Sequence, residues 1–300
     1  MTASAATVLA TGDGVVQVDG PVLSNEPAGD YRLLRLAVPG IAALARPGQF
    51  AALTVGGPTS GLLLRRSFSI HRVGADHVDL VIADAGPGTH WLTRCRPGDV
   101  VNIVAPLGQG FAPPAQPGAC VLVGGGYGSA PLFWFAKTVR AAGCAAHLVL
   151  GAASAGRLFG ADLAAASTDS VHVTTDDGSL GTRGQVTAVL PDLLLATGAR
   201  TVVACGPMGM LRAVTEVATA HGATAQVAVE EAMACGVGVC MTCVLPVVGD
   251  DGRTRMTRSC VDGPVFAGAR VRWDAIADGR VAVPDDAVGA APLAPIGPAR

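Results

Sequence analysis

From residue 31 to about residue 103, apolar positions fall in short β-branched or Leu-rich runs (31–38, 49–55, 68–70, 77–82), each broken by Gly, Pro or Asp. Runs this short, so punctuated, predict an antiparallel β-barrel or sandwich. Beyond Pro106 the texture changes. Apolar runs at 120–123, 147–150, 170–174, 201–204 and 226–229 read as strands, and they alternate with helical stretches at 130–142, 184–195 and 207–221. That alternation predicts βαβ units on a doubly wound parallel sheet. Residues 1–18 are small and weakly patterned and the stretch 284–300 is Ala/Pro-rich, so both predict loose segments. The expected order is a loose N-terminal segment (1–18), a β-barrel (19–113), an α/β domain (114–229), a small C-terminal domain (230–283) and a flexible tail (284–300).

Composition narrows the class. Half of the 300 residues are apolar and 15% are charged, which suits packed cores. A net charge of −2 with no basic run argues against a nucleic-acid partner. No apolar run reaches the length of a membrane-spanning helix, and residues 1–14 lack the charged and apolar regions of a signal peptide. Eight cysteines, four of them bunched, predict a reducing compartment, the cytoplasm, rather than a disulfide scaffold. Cys95, Cys120 and Cys144 stand in apolar surroundings that predict core positions.

The bunched four are Cys235, Cys240, Cys243 and Cys260, spaced C-x4-C-x2-C and then, after sixteen residues, C. This is the plant-type spacing for four thiolates holding a [2Fe–2S] cluster. A zinc site would present two C-x2-C-like pairs, and only one is here. The glycines between Cys235 and Cys240 let the backbone wrap closely and aim N–H groups at sulfur.

Other motifs are less specific. Arg66-Ser67-Phe68-Ser69-Ile70 puts a guanidinium fork and hydroxyls on a strand, a combination that suits a diphosphate, though a solvated face looks the same. Gly86-Pro87-Gly88-Thr89 opens a helix whose free N–H groups suit an anion. Pro106-Leu107-Gly108-Gln109-Gly110-Phe111 closes the barrel and reads equally well as a plain turn. Gly124-Gly125-Gly126-Tyr127-Gly128 follows a strand and opens a helix, the context of a dinucleotide site, but is out of register with G-x-G-x-x-G. Cys205-Gly206-Pro207-Met208 lies at the carboxyl end of a parallel strand, where open α/β sheets bind ligands. The loop 175–184 suits either a ribose- or nicotinamide-facing role or a simple helix cap. The segment 151–156 carries no basic cluster for a 2′-phosphate, so NAD is expected over NADP, with Arg157 the one nearby cation. The six histidines show no ligand spacing, and no catalytic side chain is expected.

Taken in order, R-x-F-S-I, G-x-G-T, P-L-G-x-G-F, V-G-G-G-x-G-x-A-P-L, D-D-G-S-x-G, C-G-P-x-x-M-L, the cysteine segment and C-x-D-G-P-V-F resemble the electron-transfer subunit of type B dihydroorotate dehydrogenase, within the ferredoxin–NADP reductase superfamily. The resemblance spans residues 31 to about 266, and its specific part is the cysteine segment joined to C-x-D-G-P-V-F. It implies FAD in the barrel, a nicotinamide dinucleotide in the α/β domain and the cluster beyond. It implies FAD contacts from Arg66, Ser67, Phe68 and Ser69, from Val81, Ile82 and Ala83, and from Gly88 and Thr89 at the phosphates. It places Gly124, Gly125, Gly126 and Cys205, Gly206, Pro207, Met208 around the nicotinamide nucleotide. It implies a catalytic, FMN-containing partner in a heterotetramer and a place in pyrimidine biosynthesis. The same modules serve sulfide dehydrogenase-like and NAD(P)H–ferredoxin oxidoreductase subunits and stand-alone flavin reductases. A non-catalytic scaffold on a degenerate reductase fold is the reading from a different class. Two residues depart from the pattern: Ser67 stands where the family commonly has Pro, and Ala232 where it usually has Arg.

Overall fold

A computed structural model describes residues 9–11, 14–57, 59–277 and 279–289. The first sheet is formed by β1 (Leu9–Thr11), β2 (Val15–Ala28), β3 (Tyr31–Ala37), β4 (Phe50–Leu53), β5 (Arg66–Val73), β6 (His77–Ala83) and β7 (Val100–Leu107). Its order is β1-β2-β3-β6-β5-β4-β7, and β2 also pairs with β7, which closes β2 to β7 into a six-stranded antiparallel barrel. Period-two alternation turns Leu34, Leu36, Ile70, Leu80, Ile82 and Ile103 into the barrel core, all fully buried. Short helices α1 (Ile41–Leu44) and α2 (Pro87–Thr93) accompany the barrel. Asp79 on β6 is opposite Arg35 on β3 and Arg72 on β5, and its fully buried carboxylate accepts hydrogen bonds from both guanidinium groups.

Strand pairing begins at Leu9, which is opposite Gln17, inside the stretch that the sequence suggested was loose. The 14-residue β2 escapes a pattern search because Gly20, Pro21 and Pro27 interrupt it. It bends through a bulge between Val22 and Ser24 to serve both ends of the closed sheet. Residues 1–8, 12 and 13 of that stretch lie outside the described residues.

The second sheet collects β8 (Ala119–Gly125), β9 (Ala145–Ala152), β10 (Ser170–Thr175), β11 (Thr182–Arg183), β12 (Thr201–Cys205) and β13 (Thr224–Ala228), with helices α3 (Leu132–Ala141), α4 (Ala161–Ser167), α5 (Leu190–Thr197) and α6 (Met208–Ala220). The order β11-β10-β9-β8-β12-β13 is parallel throughout and reverses direction of winding between β8 and β12. Ligands of open α/β sheets bind at such a reversal, beyond the strands' carboxyl ends. The helix expected at 184–195 is instead a 3₁₀ turn at Val186–Ala188 followed by α5, whose first turn holds Pro191. Proline is preorganised for a helix start and cannot donate inside one, so it sets that boundary.

The C-terminal part is more entangled with the rest than a separate appendage would be. A hairpin of β14 (Val244–Val248) and β15 (Thr254–Arg258) leads to β16 (Val265–Ala267), which pairs antiparallel with β13 and becomes the edge of the second sheet. A small ribbon, β17 (Ile276–Ala277) with β18 (Arg280–Val281), follows. Of the stretch expected to be a flexible tail, Asp286 accepts hydrogen bonds from Thr254 (2.9 Å) and Arg272 (2.9 Å), and Val288 N–H donates to Thr254 O (2.9 Å). Residues 290–300 lie outside the described residues.

Candidate functional site

Two cavities meet where the barrel faces the carboxyl ends of the parallel sheet. The first, of about 250 Å³, has barrel residues Arg66, Ser67, Phe68 and Ser69 on one wall and Cys205 and Gly206 on the other. Val81, Ala83 and Thr89 also line it. Ile82 does not: alternation along β6 turns its side chain into the barrel core, so only its main chain is available to a ligand. Gly88 sits behind Arg66. A Cβ there would come within 2.9 Å of Arg66 Nε, so the missing side chain lets the guanidinium lie against the start of α2. Arg66 Nη1 is fixed by the Leu64 carbonyl at 2.7 Å. The Thr89 hydroxyl accepts from the N–H groups of Ala85 and Gly86 (both 2.9 Å) and donates to Gly86 O, so it serves its own helix start.

Cys205 is buried, and burial first, then the nearby Glu230 carboxylate, pushes its thiol up to about 12. It is a neutral thiol facing Ser69 across the junction. A Cβ on Gly128 would stand 2.7 Å from Cys205 O, so bare glycine is what lets the two strand-to-helix turns approach.

The second cavity, of about 550 Å³, runs along the carboxyl ends of β8, β9 and β10. Gly125, Gly126 and Pro207 line it. Gly124 and Met208 lie outside both linings. A Cβ on Gly124 would meet Ser129 Cβ at 2.5 Å, which makes it a packing glycine of the turn, and Met208 packs against the core beneath α6. From the 175–184 loop only Asp176 reaches the cavity, while Ser179 accepts from Ala155 N–H and donates to Asp177.

Tyr127 and Glu230 line both cavities and were not singled out in the sequence. The Tyr127 hydroxyl donates to Glu230, and its ring meets Tyr31 edge-on at 5.9 Å. Burial, then the Glu230 contact, raises the Tyr127 phenol above its ordinary value, so it remains a donor. The signals were present: an aromatic residue inside the Gly-rich turn, and an acid just past the last parallel strand.

The cysteine segment packs on the outer side of the first cavity. Cys243 and Cys260 are buried with Phe50, Ala52 and Leu107 of the barrel. Gly236 sits so that a Cβ would lie 3.5 Å from Ala52 and 3.7 Å from Ser67 Oγ. Phe50 thus packs with the cysteine segment and Ser67 lies beside Gly236, and both line the cavity on the other side. The turn at 106–111, readable as a plain turn, is the dock for this segment: Gln109 N–H donates to Gly263 O (2.5 Å) and Gln109 Nε2 to Val261 O (3.3 Å).

The four cysteines stand as two neighbouring pairs, Cys235 with Cys240 and Cys243 with Cys260. Among the described residues they are not drawn in around one metal point. The loop is nevertheless of the right chemistry. Gly236, Gly238 and Met241 have positive φ, and the Val237 N–H donates to Cys235 Sγ at 3.4 Å. Contacts from Thr242, then from Cys235, lower the Cys240 thiol to about 6, and the Cys260 thiol lowers Cys243 while being raised itself. Four soft sulfur ligands, one of each neighbouring pair drawn toward thiolate, on a loop whose Val237 N–H turns to sulfur, fit an iron–sulfur cluster. Cys95, Cys120 and Cys144 are buried core residues, as expected.

Residues 230–272 match the family described as the iron-sulfur cluster binding domain of dihydroorotate dehydrogenase B. The chain is 33% identical over 238 residues to the "Dihydroorotate dehydrogenase B (NAD(+)), electron transfer subunit" of Desulforamulus reducens, covering 79% of this chain and 90% of the relative. It is 37% identical to the protein of the same name from Geobacillus thermodenitrificans, covering 77% and 88%. Among solved structures it is similar to that of an NADH-dependent reduced ferredoxin-NADP oxidoreductase, with a TM-score of 0.74, 29% identity, and 85% and 90% of the two chains covered. A likeness that runs through barrel, parallel sheet and cysteine segment alike leaves one assignment: the chain belongs to the family of electron transfer subunits of dihydroorotate dehydrogenase B.

Proposed function

We propose that this chain carries electrons from a partner flavoprotein that oxidises dihydroorotate to NAD⁺, as a step of pyrimidine biosynthesis in the cytoplasm. The observation that carries the reading is the shared wall: Phe50 and Ser67 belong both to the first cavity and to the packing around the cysteine segment. When bound, a [2Fe–2S] cluster, FAD and NAD supply one-electron, one-or-two-electron and hydride chemistry respectively. The chain's residues supply position and exclusion of water. Cys235, Cys240, Cys243 and Cys260 would hold the cluster against the barrel. Arg66, Ser67, Phe68 and Ser69, the β6 residues Val81, Ile82 (main chain) and Ala83, and the Gly88–Thr89 corner would hold FAD. The turns at Gly125, Gly126 and at Cys205, Gly206, Pro207 would admit the nicotinamide nucleotide from the other side, with Gly124 and Met208 packing behind them. Two electrons and two protons leave dihydroorotate at the partner; both electrons and one proton end on NADH, and the second proton goes to solvent. No side-chain acid or base is required here, in keeping with the neutral Cys205 thiol.

The partner would be an FMN-containing catalytic subunit in a heterotetramer. Anaerobic purification from the native host tests the reading: a dihydroorotate-oxidising, FMN-containing protein should co-elute with this chain. Recovery of the chain alone, reducing small acceptors with NADPH, would favour an oxidoreductase like the solved neighbour and overturn the assignment. A colourless chain without iron or flavin would overturn both.

A further inference from the structure

The cysteine segment holds negative charge and no positive charge of its own. From residue 230 to residue 243 there are two acids, Glu230 and Glu231, and no basic side chain. A cation reaches the segment from the hairpin. Arg258 is the last residue of β15 and is opposite Val244, which follows Cys243; Cys260 comes two residues later. Arg258 Nη1 donates to Gly238 O at 2.9 Å, in the loop between Cys235 and Cys240. Gly238 has φ +84°, and a Cβ there would stand 2.5 Å from Val261 Cγ2 and 3.4 Å from Arg258 Nη1, so bare glycine lets the loop lie on the hairpin base. The Gly238 N–H meets the Cys260 sulfur. One glycine thus joins a ligand sulfur on one side to a positive charge on the other.

Asp262 is the counter-charge. Its Oδ2 accepts from the Arg258 N–H (3.0 Å) and lies 4.0 Å from Arg258 Nε, and its side chain is only 8% exposed. This is a loose pair rather than a bidentate fork, so the guanidinium is offset only in part and keeps its bond to Gly238. Four thiolates, two ferric ions and two sulfides sum to a net negative charge, and uptake of one electron, with no proton, makes it more negative by one unit. A nearby cation stabilises the electron-bearing form more than the other, and a nearby anion does the reverse. We propose that the Arg258 charge raises the reduction potential of the cluster, with Asp262 opposing it; this rests on the cluster reading above. Arg258 thereby offsets the acids of the segment and keeps the cluster able to take an electron from the partner.

The test is a redox titration of the intact, flavin- and iron-loaded protein, with the reduced cluster followed by electron paramagnetic resonance. Arg258→Gln removes the charge and keeps an N–H donor for Gly238 O; Arg258→Lys keeps the charge. A close opposite charge shifts a charge equilibrium by about ten- to a thousandfold, and partial offset by Asp262 puts Arg258 at the lower end. Arg258→Gln is therefore expected to lower the ratio of reduced to oxidised cluster at a fixed potential roughly tenfold, a fall in midpoint of about 59 mV for one electron. Arg258→Lys should stay within about twofold of wild type, and Asp262→Asn should move the midpoint the opposite way. A wild-type midpoint in Arg258→Gln would overturn the inference, and so would an equal fall in Arg258→Lys, which would make the residue a structural tie alone. If Arg258→Gln does not retain iron, Asp262→Asn decides: a raised midpoint supports the inference, and an unchanged or lowered one overturns it. A wild-type protein without iron would remove the cluster reading itself, an outcome distinguishable from the others.

Discussion

The Tyr127 hydroxyl donates to the Glu230 carboxylate across the passage between the two cavities, joining a turn of the parallel sheet to the residue that leads into the cysteine segment. On the proposed reading, this bond lies across the path of the nicotinamide. Tyr127→Phe removes the tie and keeps the ring. The KM for NADH should fall, by up to about tenfold, since no hydrogen bond is broken on binding. Flavin content and Tm should be little changed. A rise in KM in steady-state NADH–dye assays would mean that the phenol helps to bind the nucleotide rather than to block it.

Arg66→Ala should loosen the flavin. A charge-assisted contact to phosphate is worth about 1.5–3 kcal/mol, or roughly 10- to 150-fold in dissociation constant. Flavin absorbance retained through gel filtration measures it. Unchanged retention would show that the guanidinium held by Leu64 O turns away from the phosphates.

Cys240→Ser should remove iron and spare flavin, because Cys240 is exposed on the loop and lines neither cavity. Iron per chain should drop from about two to near zero, with NADH-to-dye activity retained. Loss of that activity with flavin still bound would contradict the separation of the two sites.

Gly108→Ala addresses the dock beneath the cysteine segment. At φ +71° a Cβ would stand 2.6 Å from Gly263 O and 2.7 Å from Pro264 Cδ. Overpacking together with an unfavourable φ should cost about 1–3 kcal/mol and lower iron retention before flavin retention. Thermal unfolding followed at flavin and iron–sulfur wavelengths separates the two losses.

His71 sets a pH dependence. Its ring is buried between Phe133 and Phe159, Nδ1–H donates to Ala130 O (2.7 Å), and burial holds its pKa below the ordinary histidine value. A base with a lowered folded-state pKa prefers the neutral form when folded. Its contribution is therefore complete above the unfolded value near 6.5 and is lost as pH falls from there toward the folded-state value. Tm should decline between pH 7 and pH 5, and His71→Gln, though less stable at neutral pH, should show a shallower decline. Parallel slopes would assign the effect to other groups.

The local patterns reached far. Alternating Leu34, Leu36, Leu80 and Ile82 announced a barrel, the buried runs at 120–123 and 201–204 announced parallel strands, and the cysteine spacing announced its chemistry, because each depends on residues close in sequence. Which residues share a wall depends on contacts between segments far apart in the chain, and those were settled only by folding. Ile82 and Ala83 are equivalent in a list of motif residues, yet the pleat sends one into the barrel core and the other to the cavity. Glu230 acquires its partner from residue 127, and Gln109 its partners from residues 261 and 263. Propensity and spacing determined the elements and the ligand types; strand register and closure of one domain on the next decided the site, since distance in space is not a function of distance along the chain.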